Sequence, residues 1–284
     1  MKKHRALAAV LLLIGTVSGT ASQAANLRPI THEDVWLAKR ISSPRVSPDG
    51  RRIVFLVTEP AYDDKEKAAD LWIVPADGSA PARRLTNSRG AESDVAWSED
   101  GARIVFSTKR EGDEATQIYT LDLVVGGEAR RLTDAAQGAR SPVLSPDGRQ
   151  LLYVSDIPDD PQAAEHKYNA RAYDGFPIRN WDHWRKLARP HLFVLPLDAA
   201  GGPAGAPRDL LVGTQLVKAP GYAGRKTNSD DELEPVWSRD GGQVVFVAST
   251  NQDQAAFAFV NTHLYRVAAG GGEPERITTG DDSY

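Results

Sequence analysis

The chain has 284 residues, no cysteine and a formal net charge of −4. Without thiols it can build neither a disulfide framework nor a thiolate metal site. A mildly acidic chain with no clusters of Lys and Arg is also a poor partner for nucleic acid, whose phosphates demand concentrated positive charge. The first element is a basic start, Met1-Lys2-Lys3-His4-Arg5, followed by an apolar run from Ala6 to Val17 and by Ser22-Gln23-Ala24, with small residues where a signal peptidase reads. This order predicts a secretory signal peptide over residues 1–24, because the run is shorter than the roughly 20 residues that span a bilayer; a short retained anchor is the alternative reading. Cleavage would take the charge from −4 to −7 and leave a periplasmic or secreted protein off the membrane. Residues 25–42 form a lead-in with a short helix.

Four copies of one pattern follow. Ser47-Pro48-Asp49-Gly50, Ser98-Glu99-Asp100-Gly101, Ser145-Pro146-Asp147-Gly148 and Ser238-Arg239-Asp240-Gly241 each lie eight residues before an aromatic, at Phe55, Phe106, Tyr153 and Phe246. Asp-Gly is a strong hairpin signal: Gly accepts a positive φ and Asp caps the turn, so Asp49, Gly50, Asp100, Gly101, Asp147, Gly148, Asp240 and Gly241 read as structural turn residues. The short apolar runs after them, such as Ile53-Val54-Phe55, suit strands buried on both faces. A second apolar-aromatic strand comes next, as at Leu71-Trp72-Ile73-Val74. A short strand then closes the unit at Arg84-Leu85-Thr86, Arg131-Leu132-Thr133, Asp209-Leu210-Leu211 or Arg276-Ile277-Thr278. Four strands per unit, repeated with Ser at 47, 98 and 145, describe the blades of an all-β propeller. The blades are placed at 43–86, 94–133, 141–211 and 234–278, with Trp97 and Trp237 as packing residues between them.

The third unit is longer than the others. Either a blade has lost its signature or the unit carries insertions; insertions at 157–190 and 212–233 are the preferred reading, because His191-Leu192-Phe193-Val194 suits Leu151-Leu152-Tyr153-Val154 as a partner strand. Thr86 and Thr133 each lie 12 residues before the next repeat Ser, and a further Ser after Thr278 would fall past Tyr284. The array therefore reads as incomplete, against the alternative of a closed four-bladed ring with a short tail.

These repeats resemble those shared by TolB and the N-terminal domain of the prolyl oligopeptidase family. Thr31-His32-Glu33-Asp34-Val35-Trp36 is similar to the opening of exported bacterial dipeptidyl and acylaminoacyl peptidases. The segment Tyr173-Asp174-Gly175-Phe176-Pro177-Ile178-Arg179-Asn180-Trp181-Asp182-His183-Trp184 resembles an Arg-x-Trp-Asp-x-Trp stretch of the same branch. The resemblance implies a propeller that gates access of oligopeptides to a C-terminal α/β-hydrolase domain of the same parent protein, with no cofactor. No Ser here has Gly two residues before and two after, so the nucleophile elbow is missing and no catalytic residue carries over. The alternative is a TolB-like periplasmic interaction scaffold without chemistry.

One stretch stands out as a candidate site. The insertion gathers Arg171, Asp174, Arg179, Trp181, His183, Trp184 and Arg185, the residue types that recognition surfaces favour. It reads either as a loop packing its own aromatics or as a contact for substrate or a neighbouring domain. His166, His183 and His191 are too scattered to define a metal site. Asp230, Asp231, Glu232 and Glu234 read as a solvated acidic loop.

Overall fold

The computed structural model describes residues 28–63, 68–88, 90–160, 170–173, 178–180, 182–226 and 231–280. The expected signal peptide lies outside these residues. By chain contacts the protein divides into a unit ending at Trp36 and a unit from Leu37 onward. The first holds the helix α1 (His32–Trp36), started by Thr31, whose hydroxyl accepts from the Asp34 amide at 3.3 Å.

The second unit is built around four antiparallel sheets of four strands, three of them formed by consecutive strands in chain order. The first contains β1 (Arg40–Val46), β2 (Arg52–Glu59), β3 (Ala68–Pro75) and β4 (Arg83–Arg84), and the second β5 (Glu92–Trp97), β6 (Arg103–Thr108), β7 (Gln117–Asp122) and β8 (Arg130–Arg131). The third begins with β9 (Arg140–Leu144) and β10 (Gln150–Pro158); a two-stranded excursion, β11 (Arg179–Asn180) and β12 (His183–Trp184), precedes its remaining strands β13 (Ala188–Pro196) and β14 (Arg208–Asp209). The helix α2 (Gln215–Lys218) and the small hairpin of β15 (Arg225–Lys226) and β16 (Asp231–Glu232) lead into the fourth sheet: β17 (Val236–Trp237), β18 (Gln243–Ala248), β19 (His263–Ala268) and β20 (Glu275–Arg276).

The apolar runs are buried on both faces because each sheet packs on its neighbours. Ile104 and Phe106 of β6 meet Val54, Leu56, Leu71 and Ile73 of the first sheet, while Val105 turns the other way toward Leu151 and Tyr153. Leu152 and Val154 face Val244 and Phe246 of the fourth sheet. The core is thus three apolar layers between four sheets, the stacking of propeller blades. Indole donors tie the layers: Trp97 Nε1 bonds Arg45 O at 3.0 Å and Trp237 Nε1 bonds Val143 O at 3.2 Å.

The repeated turn has one geometry. Ser145 Oγ donates to Asp147 Oδ1 at 2.6 Å and accepts from Gln150 N at 2.9 Å, while Gly148 takes φ +68°, where a side chain would be strained. The other three turns repeat these bonds, with Gly50, Gly101 and Gly241 at φ +73°, +65° and +70°. Bonds from the serine hydroxyl and the following backbone amide hold Asp49, Asp100, Asp147 and Asp240 below the usual carboxylate range, so the turns contribute stability that is lost as pH falls into that range. Ser145→Ala is expected to cost about 1–2 kcal/mol in urea melts, since it strands the Gln150 amide; an unchanged midpoint would remove the turn from the account of stability.

A second repeated feature lies on the first strand of the first three sheets and just ahead of it in the fourth. Ser43, Asp94, Ser141 and Glu234, each four residues before the repeat serine, have φ of +51°, +51°, +53° and +46°. In the first three sheets the ladder slips there, so that two residues face one aromatic: Phe55, Phe106 or Tyr153. These are β-bulges, placed identically in successive blades.

Candidate functional site

Alternating strand direction puts the Ser-x-Asp-Gly turns at one end of every sheet and the longer second-to-third-strand loops at the other. Adjacent turns touch: an added Cβ on Gly241 would meet Pro146 at 3.7 Å, and one on Gly101 would meet Pro48 at 3.9 Å. The opposite end therefore collects the insertion between β10 and β13, the loop 249–262 and the segments joining consecutive blades.

The insertion grows from an extended stalk. β10 and β13 pair from Gln150↔Pro196 to Pro158↔Ala188, and Arg189 Nε grips Asp159 at 2.9 Å beyond the last rung. Above the stalk, Arg179↔Trp184 and Asn180↔His183 form a tight hairpin. Trp184 stacks on Tyr173 with centroids 6.4 Å apart, and the Arg179 guanidinium lies 5.3 Å over its ring. Tyr173 Oη donates to Arg185 O at 2.8 Å, locking the stack. Trp184 is still 51% exposed, and Arg171 and Arg179 are exposed with it. This is an aromatic surface with guanidinium donors, suited to holding a planar or chain-like partner. Asp174 and Trp181 lie outside the described residues.

Beneath the stalk is an ion network. Arg140 donates through Nη2 to Asp156 Oδ1 and to Asp231 O, both at 2.9 Å, and through Nε to Glu232 Oε1 at 3.2 Å. Ser141 Oγ adds a bond to Glu232 Oε2 at 2.8 Å, and Lys186 of the insertion reaches Asp156 at 3.8 Å. Within the acidic run Glu232 is spent on Arg140 rather than on solvent, whereas Glu234 stays exposed in a pair with Arg225 at 3.2 Å, and Asp230 lies outside the described residues. His191 Nδ1 sits 2.7 Å from Asp209 Oδ2 and both are largely buried, a structural pair with no nucleophile assigned to it. Among the described residues no three His, Asp or Glu side chains converge as metal ligands. Sequence reasoning missed Phe257 and Phe259, which stand 80% and 76% exposed on the loop 249–262. Their only signal was an apolar stretch, Ala255-Ala256-Phe257-Ala258-Phe259, between two strands of a surface loop.

With four stacked four-stranded sheets, this is a β-propeller protein. Residues 33–173 match the model of the TolB beta propeller domain. Two curated relatives are peptidases. The chain is 28% identical over 260 residues to dipeptidyl-peptidase 5 of Porphyromonas endodontalis, covering 90% of this chain and 36% of the relative. It is 27% identical to the uncharacterized peptidase YuxL of Bacillus subtilis, covering 80% and 32%. The chain thus spans about a third of the length of these relatives. Among solved structures, an acylaminoacyl peptidase in complex with Z-Gly-Gly-Phe-chloromethyl ketone superposes with a TM-score of 0.57 at 16% identity, over 87% of this chain and 33% of the other, a likeness of fold. Among the described residues no helix is long and apolar enough to cross a membrane.

Proposed function

We propose that this chain is the propeller portion of an exported peptidase that acts on oligopeptides, working beside an α/β-hydrolase domain of the same parent protein. The alignment of 90% of the chain with part of a dipeptidyl-peptidase carries the reading. On this reading the Trp184–Arg179 surface and its neighbours contact substrate or the hydrolase domain, and the propeller supplies access and positioning while the chemistry lies elsewhere. A basic, apolar and small-residue start supports export to the periplasm or beyond.

The test compares the chain alone with the parent protein on fluorogenic dipeptidyl amides. The chain alone is expected to show no turnover. In the parent protein, Trp184→Ala is expected to raise KM roughly tenfold with a smaller change in kcat, the signature of lost substrate binding. Turnover by the isolated chain that survives repeated purification would sink this assignment. A parent protein with no hydrolase activity would favour the TolB-like scaffold, the reading that the match over residues 33–173 supports.

A further inference from the structure

Each blade carries one cross-strand aromatic pair, and one of the four is reversed. Phe55↔Trp72, Phe106↔Tyr119 and Phe246↔Tyr265 place Phe on the second strand and the polar-edged ring on the third. In the third sheet the order is Tyr153↔Phe193. The exchange matters because the usual place offers the hydroxyl a partner. Tyr119 Oη donates to Asp113 at 2.8 Å beneath a stacked Arg110, and the Tyr265 hydroxyl bonds Thr250. Tyr153 is only 3% exposed, yet among the described residues its hydroxyl has no hydrogen-bond partner. That hydroxyl is not sealed among protein atoms: it opens on the space beside the ring, where it can donate.

The same ring lines a cavity of about 730 Å³ between the second and third sheets. Phe193, Leu195, Pro158 and Pro207 supply apolar walls, and Ala136 stands at the exposed rim. The volume falls within the range of ligand sites, and a mostly apolar wall with a few polar groups in it, here Tyr153 Oη with Thr133, Gln137 and Ser155, is their usual composition. Charge narrows the occupant. Arg131 is engaged by Asp113 at 3.4 Å and by Asp134, so it is not free to receive an anion. Asp156 also lines the cavity, and Asp209 acts on Tyr153. These carboxylates are spent as well, Asp156 on Arg140 and Lys186 and Asp209 on His191, so an ionic ligand would shed water against apolar walls without finding a free counter-charge. Burial and Asp209 push the Tyr153 hydroxyl up to about 12, so it keeps its proton and has one hydrogen bond to donate.

We propose that this cavity binds a short uncharged apolar peptide segment, with a backbone carbonyl accepting from Tyr153 Oη and a side chain against Phe193 and Leu195. The site lies between two blades, apart from the Trp184 surface, and does not depend on the peptidase reading.

Isothermal titration of the full chain with N-acetyl-Leu-Phe-amide tests it. One saturable site is expected. Tyr153→Phe, which keeps the ring, should weaken binding roughly tenfold, and Ala136→Trp, which fills the mouth from an exposed position, should abolish it. The free acid N-acetyl-Leu-Phe should bind more weakly than the amide. Thermal melts establish that each variant is folded; should Tyr153→Phe fail to fold, Ala136→Trp and the amide-against-acid comparison decide. No saturable heat up to about 10 mM, or binding that neither substitution weakens, overturns the proposal.

Discussion

Raising the pH from about 4.5 to 7.5 is expected to remove about 3 kcal/mol of stability through Glu92, and Glu92→Gln is expected to abolish that loss. Glu92 begins β5 and is 3% exposed. Burial is the main cause that pushes its carboxyl up from 4.5 to about 7; Asp70 adds to the rise, while Ser88, Thr86 and Arg110 oppose it. The hydrogen bonds agree. Ser88 Oγ lies 3.0 Å from Gly90 O and 2.6 Å from Glu92 Oε1. The hydroxyl has a single proton; when that goes to Gly90 O, the short contact to Glu92 needs a proton on the carboxyl. Because the folded-state value is raised, the stability is full below the unfolded value and is lost as pH climbs through the folded one. The second blade shows that an amide suits such a place: Thr133, the counterpart of Thr86, donates to Gln117 Oε1 at 2.8 Å. Urea melts of wild type and Glu92→Gln at pH 5 and pH 8 measure the difference. A variant whose stability follows the same pH curve as wild type would refute the protonated Glu92.

Arg140→Ala is expected to be the most damaging single change near the insertion, at about 3–5 kcal/mol. Its guanidinium ties three segments: its own strand, Asp156 on β10 and the Asp231-Glu232 segment ahead of the fourth blade. The side chains of Arg140, Asp156 and Glu232 are 15%, 11% and 22% exposed. Removing the cation takes the main counter-charge from two poorly hydrated carboxylates, which costs more than the pairing itself is worth. Lysine should recover only part of the loss, since a compact ammonium has no planar fork to reach Asp156 and Glu232 from two separate nitrogens. The decisive comparison is the triple variant Arg140→Met, Asp156→Asn, Glu232→Gln. It should be clearly more stable than Arg140→Ala; if it is not, lost packing rather than stranded charge explains the effect.

The propeller was legible because its signal is local. Asp-Gly turns at fixed offsets from an aromatic mark a hairpin wherever they occur, and four recurrences fix the architecture. The pairing of the third blade could be read across a long insertion because two complementary apolar runs remained on either side of it. Features that depend on the stacking of blades were not legible. Arg140 and Glu232 are 92 positions apart, and nothing in an acidic run reveals which carboxylate a distant guanidinium will take. The positive-φ positions were hidden for another reason: Ser43, Asp94, Ser141 and Glu234 are not all of one side-chain type, and none is the glycine that usually announces a positive φ. Neither did the exchanged order of Tyr153 and Phe193 stand out, because both residues satisfy the same aromatic pattern.

The bulges bear on how this molecule meets extended chains. Every sheet has two free margins, and a free margin with regular spacing of amides and carbonyls invites another strand to join it. The last strands, β4, β8, β14 and β20, are two residues long and offer too little length. On the first strands of the first three sheets the same break interrupts the row, and in two of them it comes with a proline, Pro44 or Pro142, that removes an amide. In the fourth sheet Glu234 and Pro235 come just ahead of a first strand only two residues long. Both margins are thus closed to zippering. An extended polypeptide that meets these blades therefore finds no edge to join as an added strand.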